Sequence, residues 1–254
     1  MFHPVLNLRR DHYDRRDRRL STPLRPAVAL PSAVDHRAEL PPVWQQGEVG
    51  SCFAHAGCAA MSQVIHRESG AIVTPSRLCL ATTTRFREGT LSSDSGATLR
   101  GTIKTMVKIG VPPESLYPYD IAGYYTLPPQ SVLDAAEKWQ TLGYYRIAAD
   151  HAAPARIRQA LAAGFMVMIG VAIYESLLSD AVVRTGIVSL PRSGEEMMGG
   201  HAMAVVGYDH DRMIVRNSWG AEWGDKGHCL MPEAYFAGDM LWDAWVISRS
   251  ESGQ

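Results

Sequence analysis

The stretch of residues 52–67 constrains the fold most, because its apolar side chains recur at the spacing of a helix. One stripe holds Ala54, Cys58, Met61 and Ile65, and the adjoining stripe holds Phe53, Gly57, Ala60 and Val64. A helix that is apolar over so wide a surface has to be buried among other elements. Gly70 follows as a stop signal. The sequence therefore predicts a largely buried helix that begins near Cys52.

The two halves of the chain follow different patterns. A second helix is expected over residues 97–109, and the chain up to about residue 125 is mainly helical in pattern. Beyond it come a short helix at 155–163, an apolar strand-like run at 165–174, and two apolar runs at 202–208 and 213–217 that flank turn residues. These patterns predict an α+β fold with a helical lobe mainly at 40–125 and a β-rich lobe mainly at 126–254.

Composition limits the classes of partner. The 254 residues are 46% hydrophobic and 20% charged, with a net charge of −1, which is typical of a globular protein without global attraction to nucleic acid or an anionic membrane. The longest uncharged run, residues 159–174, contains two glycines and is shorter than the roughly 20 residues that cross a bilayer. A soluble, monomeric protein with neither a nucleic-acid nor a membrane partner is expected.

Residues 1–29 form an N-terminal extension rich in arginine and aspartate, followed by prolines. Charged residues interrupt it every few positions, so the apolar centre of a Sec signal peptide is missing. We expect a cytoplasmic protein, or one exported without a cleavable Sec signal. Two interpretations of the extension stay open: a solvated or disordered tail, and a short pro-segment that folds over the active site.

Four cysteines, namely Cys52, Cys58, Cys79 and Cys229, lack the paired spacing of a disulfide scaffold. Reduced thiols are expected, although one bridge stays open because sequence alone does not choose among pairings.

Cys52 differs from the other three cysteines because it lies where the buried helix begins. Free backbone N–H groups and the helix dipole favour an anion there, so its pKa is expected to fall and the reactive thiolate to form. His201 is the best candidate base, since it opens a strongly apolar strand after two glycines. Asn217 ends the second strand of the same hairpin, where it can orient the imidazole, and Trp219 can shield that contact from water.

Three blocks of sequence, GEVGSCFAHA, GGHAMAVVGYD and VRNSWGAEWGDKGH, occur in that order. They resemble the active-site blocks of the papain family of cysteine peptidases, whose histidine and asparagine follow the cysteine at a similar distance. The resemblance covers roughly residues 30–236. It implies a papain-like two-lobed fold, a helical lobe plus an antiparallel β-barrel-like lobe, with the active site in the cleft between them.

The same resemblance assigns roles to residues. Cys52 becomes the nucleophile, His201 its proton partner and Asn217 the orienting residue of an enzyme that hydrolyses protein or peptide substrates. Gln46 matches the glutamine whose amide joins the cysteine N–H in the oxyanion hole. Gly96, Gly200, Ala202 and Trp219 are the candidates for substrate binding. No metal or other cofactor is implied.

Departures from the family pattern concern the helical lobe. Val49 stands where many members have a cysteine, and DSGAT at 94–98 replaces the usual GCNGG segment. The disulfide usual in that lobe is therefore absent. In its short extension and thiol-only composition the chain is most similar to short bacterial members such as xylellain.

Two other kinds of function are compatible with parts of this sequence. Cys52, His55 and Cys58 have zinc-like spacing, but on a helix Cys58 points well away from the other two, and a structural site needs four convergent ligands. A thiol acyltransferase or a non-catalytic binding protein could share the fold. The joint presence of Gln46, Cys52, His201 and Asn217 argues against an inactive protein, and product analysis separates hydrolysis from transfer.

Overall fold

A computed structural model describes residues 4–20, 29–141 and 143–248 of the chain. The helices are α1 (Cys52–Ser69), α2 (Arg77–Arg87), α3 (Leu99–Lys108), α4 (Gln130–Ala136), α5 (Ala153–Ala162) and α6 (Asp180–Thr185). The strands are β1 (Ala33–Asp35), β2 (Gly143–Ile147), β3 (Val167–Tyr174), β4 (Met197–Asp209), β5 (Arg212–Arg216), β6 (His228–Pro232) and β7 (Leu241–Ser248).

The seven strands form one antiparallel sheet. Its order is β2-β7-β3-β4-β5-β6, with the short β1 paired to β4. Within the described chain no pairing joins β2 to β6, so the sheet is open and the expected barrel-like closure is not made. The helical lobe and the antiparallel sheet confirm the α+β class. The division near residue 125 stays a prediction.

Successive side chains along each strand point to opposite faces of the sheet, so the protein has a buried cluster on each face. In β3, Val167, Ile169 and Val171 pack into one buried cluster, whereas Met168 joins the other. The first cluster includes residues of α5 and α6, and the second includes residues of α1, α2 and α3. The sheet therefore separates α1, α2 and α3 from α5 and α6, and α1 packs against β4.

Most of the predicted elements are confirmed. Helix α1 begins at Cys52 and ends at Ser69; it is followed by Gly70, whose φ of +72° is the left-handed conformation that glycine adopts readily. The β4–β5 hairpin turns at His210 and Asp211, as expected from sequence. Helix α2 was not predicted, because its buried Thr82 and Thr83 look polar in sequence. Their hydroxyls donate to the carbonyls of Leu78 and Cys79, one turn earlier.

The N-terminal segment, residues 4–20, lies along the groove between the helical lobe and the sheet. The Leu8 N–H donates to the Gly200 carbonyl at 3.1 Å, and the Arg9 N–H donates to the Ala97 carbonyl at 3.0 Å. Further along, Leu20 N–H donates to Arg146 in β2. The segment therefore bonds to both walls of the groove. The rest of the extension, residues 1–3 and 21–28, lies outside the described residues.

Across the described residues, no helix combines the length and the apolar character needed to span a bilayer.

Candidate active site

Cys52 occupies the first position of α1, at the floor of the groove, and is fully buried. Burial raises the pKa of its thiol to about 12, while the backbone N–H groups of Ala202 and Phe53 act in the opposite direction. Sequence reasoning expected a lowered pKa from the helix terminus. The difference arises because water is excluded from Cys52 in this arrangement, and the cost of an unsolvated thiolate outweighs the helix dipole.

His201 and Asn217 meet across the β4–β5 hairpin. The His201 Nε2 lies 2.8 Å from the Asn217 Oδ1, and since a carbonyl oxygen can only accept, the imidazole donates through Nε2. The indole of Trp219 stacks on the imidazole, with ring centroids 4.8 Å apart and planes 29° apart. The ring of His201 is thereby fixed in position and in tautomer.

The other nitrogen of His201, Nδ1, is left as the acceptor. It is buried and has no hydrogen-bond partner among the described residues. The following residue, Ala202, directs its backbone N–H towards the sulfur of Cys52. Burial also lowers the pKa of His201 to about 4, although the hydrogen bond to Asn217 acts to raise it. Both the thiol and the imidazole are therefore neutral in this arrangement.

Gln46 is held in place by contacts at both ends of its side-chain amide. Its Nε2 donates to the Val49 carbonyl at 3.0 Å, and its Oε1 accepts from the Ser218 hydroxyl at 2.6 Å. One N–H of the amide remains for another acceptor. The Tyr119 hydroxyl donates to the Gln46 carbonyl and accepts from Ser51, the residue before the cysteine. This network positions Gln46 beside the start of α1.

Two of the candidate substrate-binding residues, Gly96 and Gly200, lie against the N-terminal segment, whereas Trp219 packs on His201 in the core. A Cβ on Gly96, which has a φ of +62°, would lie 2.0 Å from the Asn7 carbonyl oxygen. A Cβ on Gly200 would lie 2.5 Å from the Leu8 carbonyl oxygen and closer still to the Trp242 ring. Because neither glycine has a side chain, another backbone can approach both of them closely. In this structure that backbone is the N-terminal segment. Ala202 is buried beside Cys52.

Asn7 contacts the helical wall through its side chain. Its Nδ2 donates to the Asp94 carboxylate at 3.1 Å, and the same carboxylate accepts the Gly50 N–H at 2.9 Å and the Tyr124 hydroxyl at 3.1 Å. Gly50 lies two residues before Cys52. The Asp94 carboxylate thus connects the chain just before Cys52 to the loop that carries Gly96.

A second set of contacts ties the segment to the sheet through buried carboxylates. The Asp11 N–H donates to Asp243, and the Asp11 carboxylate accepts from the Trp245 indole at 2.9 Å. Asp243 also accepts from Arg146 at 2.7 Å, and Arg146 bonds Asp17 as well. Burial first, and the charge of Asp11 second, raise the pKa of Asp243 to about 7.

The remaining cysteines and the zinc-like motif do not join this arrangement. Each of the four cysteines is a buried free thiol. The His55 Nδ1 lies 3.1 Å from the Ser51 carbonyl, and its ring makes edge contacts with Tyr119 and Trp44. Within the described ranges no group of three potential ligands is close enough to hold a metal ion.

Sequence reasoning named the four central residues but missed their supports. Ser218 follows Asn217 directly, and its hydroxyl could have been paired with Gln46 only by knowing the fold. Tyr119 lies in the stretch YPYD at 117–120, and its local sequence gives no sign that its hydroxyl bonds Gln46 and Ser51. Asn7 and Asp94 carry no local pattern, since their contact spans 87 residues of the chain.

Comparison with known proteins supplies independent information about the family. The sequence model of the papain family cysteine proteases matches residues 30–237. An uncharacterised peptidase C1-like protein of Acanthamoeba polyphaga mimivirus is 36% identical over 235 residues, which are 89% of this chain and 73% of the relative. Cathepsin K of Gallus gallus is 29% identical over 79% of this chain, which spans 58% of that relative's length.

A solved structure agrees with these sequence matches. The crystal structure of xylellain, a cysteine protease from Xylella fastidiosa, superposes with a TM-score of 0.85 at 30% identity, covering 97% of this chain and 96% of that one. Three observations agree on the family. They are the open antiparallel sheet, helix α1 with Cys52 at its start, and the match of the family model over residues 30–237. The chain belongs to the papain family of cysteine proteases.

Proposed function

We propose that this chain hydrolyses peptide bonds with Cys52 as nucleophile and His201 as its proton partner. Asn217 orients the imidazole, and Gln46 together with the Cys52 N–H forms the oxyanion hole. The observation that carries the proposal is the state of His201. Its Nε2 is committed to Asn217, which leaves the lone pair of the buried Nδ1 unpaired, and the backbone N–H of the next residue, Ala202, is directed towards the sulfur of Cys52.

The proposed reaction has two steps. His201 Nδ1 takes the thiol proton, and the Cys52 sulfur attacks the peptide carbonyl, forming a C–S bond. The tetrahedral oxyanion is held by the free N–H of Gln46 and the Cys52 N–H. The C–N bond breaks as His201 returns the proton to the departing amine. Water, deprotonated by the same imidazole, then hydrolyses the thioester and restores the thiol.

The second half of the proposal is that the N-terminal segment keeps the enzyme latent. Three features support it: the segment bonds to both walls at Gly200 and Ala97, it fills the space that a substrate backbone needs, and Cys52 is fully buried with a raised pKa. Once the segment leaves, water reaches the thiol and solvates the thiolate and the imidazolium. The desolvation cost of these two ions then decreases, and the pKa of Cys52 falls.

A test of latency compares the full chain with a variant that loosens the segment. Leu8 is 4% exposed and packs into the helical core, so Leu8→Ala should weaken docking and raise cleavage of a peptide library by about tenfold or more. Deleting residues 1–29 should act in the same direction. Tyr13, 79% exposed on the same segment, provides the matched control, and Tyr13→Ala should leave activity unchanged.

Unchanged or lower activity of a folded Leu8→Ala or truncated protein would contradict latency but not the chemistry. The chemistry is tested by Cys52→Ala, which should abolish cleavage. A thiol acyltransferase is the remaining alternative on this fold. It predicts new amide products when an amine acceptor is added, whereas a hydrolase gives free carboxylic acids by mass spectrometry.

A further inference from the structure

We infer that Asp94 selects substrates by binding a lysine or arginine side chain in the place that Asn7 now occupies. The inference deepens the proposed peptidase function and rests on it. It assigns a specificity-determining role to a residue outside the four proposed for catalysis.

All hydrogen-bond donors to the Asp94 carboxylate in the described residues are neutral groups. Its partners are the Gly50 N–H, the Tyr124 hydroxyl and the Asn7 side-chain amide. None of the ion pairs found among residues 4–20, 29–141 and 143–248 includes Asp94. A cationic donor adds to the hydrogen bond a direct attraction between opposite charges, which the neutral donors at Asp94 do not supply. A cation arriving at Asp94 therefore improves on every partner present.

The place beside Asp94 is shaped to receive a side chain. A Cβ on Gly50 would lie 2.1 Å from the Asn7 Oδ1 and 2.2 Å from its Nδ2, so the missing side chain of Gly50 makes room for that amide. Asn7 itself fits imperfectly, because its Oδ1 is buried and finds no partner in the described chain. Lysine and arginine carry donors alone, so they leave no acceptor orphaned at this position.

The place also lies within reach of the reacting atoms. Gly50 is two residues before Cys52, and on the same wall Ala97 accepts the Arg9 N–H while Gly96 lies close to the Asn7 carbonyl. When the segment leaves, Asp94 loses the Asn7 amide and turns a partly exposed carboxylate towards the open groove. A substrate that follows the same groove brings one of its side chains over Gly50.

The experiment measures selectivity on the full chain. Peptidyl electrophiles carrying lysine, arginine or norleucine, scanned through each position in turn, are reacted with Cys52, and labelling is followed by mass spectrometry. The ratio of cationic to norleucine rates at the responsive position is the readout. Because both probes react with the same released fraction of molecules, this ratio is independent of how much segment is docked.

The wild-type ratio is expected to be about 10 or more, and Asp94→Asn should bring it close to 1. Asp239→Asn removes an equal charge at an exposed site and should leave the ratio unchanged. If Asp94→Asn does not fold, salt provides the second measurement, since raising ionic strength should lower the wild-type ratio through screening.

A ratio near 1 at every position, or a ratio that survives Asp94→Asn, would overturn the inference. In both cases Cys52 still reacts with the norleucine probe, so the proposed peptidase chemistry stands. Failure of all probes to label Cys52, including in Leu8→Ala, is a different result: it removes the proposed function and the inference with it.

Discussion

At the scale of single residues, the side chains of the candidate site are held in place by hydrogen bonds to neighbouring residues. Asn217 fixes His201, while Val49 and Ser218 fix the two ends of the Gln46 amide. Preorganised donors are effective because they need no rearrangement when charge develops on the substrate. Variants that lose one of these hydrogen bonds should therefore have a lower kcat/KM.

Gln46→Ala removes one proposed oxyanion donor and should lower kcat/KM by about 10² to 10³. Ser218→Ala keeps that donor and loses the contact at the amide oxygen, so a smaller decrease is expected because Nε2 still bonds Val49. Rates are normalised to the concentration of Cys52 titrated by an electrophile. Equal losses for the two variants would mean that Gln46 acts through local structure.

The sequence was informative about the residues that we propose to react, and it gave no indication of the residues that hold them in place. Cys52, His201, Asn217 and Gln46 each belong to a short sequence motif; Cys52 begins α1 and Asn217 follows β5, whereas His201 lies four residues inside β4. Asp94 acts through contacts that the folded chain brings together over 44 residues to Gly50 and 87 residues to Asn7. No local pattern encodes such distances.

At the scale of elements, the spacing of apolar residues predicted the helices and strands whose buried face is apolar. Helix α1 and strand β3 follow this rule. Helix α2 does not, because Thr82 and Thr83 satisfy their hydroxyls within the helix and are buried all the same. Strand β7 includes the buried Asp243, whose charge interrupts the apolar pattern that would have marked it.

The end of α1 permits a prediction about stability. Gly70 adopts a φ of +72°, and a Cβ there would meet no atom within 4 Å, so conformation alone decides the effect. Gly70→Ala should lower the free energy of unfolding by about 1 kcal/mol. Gly238 also has open space around its Cβ position but no positive φ.

Gly238→Ala is therefore the matched control and should be neutral or slightly stabilising. Chemical denaturation of both variants measures the difference. A loss at Gly238 as large as that at Gly70 would show that something other than the left-handed conformation is responsible.

At the scale of the whole molecule, the buried carboxylates couple segment docking to pH. Asp243 faces Asp11 from the segment and Arg146 from β2, with Arg10 contributing charge nearby. In the docked arrangement burial, and after it the charge of Asp11, raise its pKa to about 7; because the segment supplies Asp11, docking should take up a proton. Docking should be strong in mild acid and should weaken as pH rises towards 7.

Asp17 works in the opposite sense at lower pH. Burial alone would raise its pKa, but hydrogen bonds from Arg100 and Arg146 bring it below 3.8. Its contribution to docking is present above that value and is lost as pH falls through its lowered pKa. The two groups together place the tightest docking in the weakly acidic range.

Limited proteolysis of the segment in Cys52→Ala checks the direction. Cleavage within residues 4–20 should be faster at about pH 8 than at about pH 5, because docking is weaker when Asp243 is ionised. Asp243→Asn cannot ionise and should lose this difference between the two pH values. Faster cleavage at the acidic pH in the parent would contradict the assignment.

The bond between the Trp245 indole and Asp11 has a practical consequence. The indole is fully buried and its Nε1–H donates to a carboxylate that belongs to the departing segment. Release replaces that partner with water, and a hydrated indole emits at longer wavelength. The protein thus carries its own optical reporter, readable without substrate, and substituting this one among its six tryptophans identifies the source of the signal.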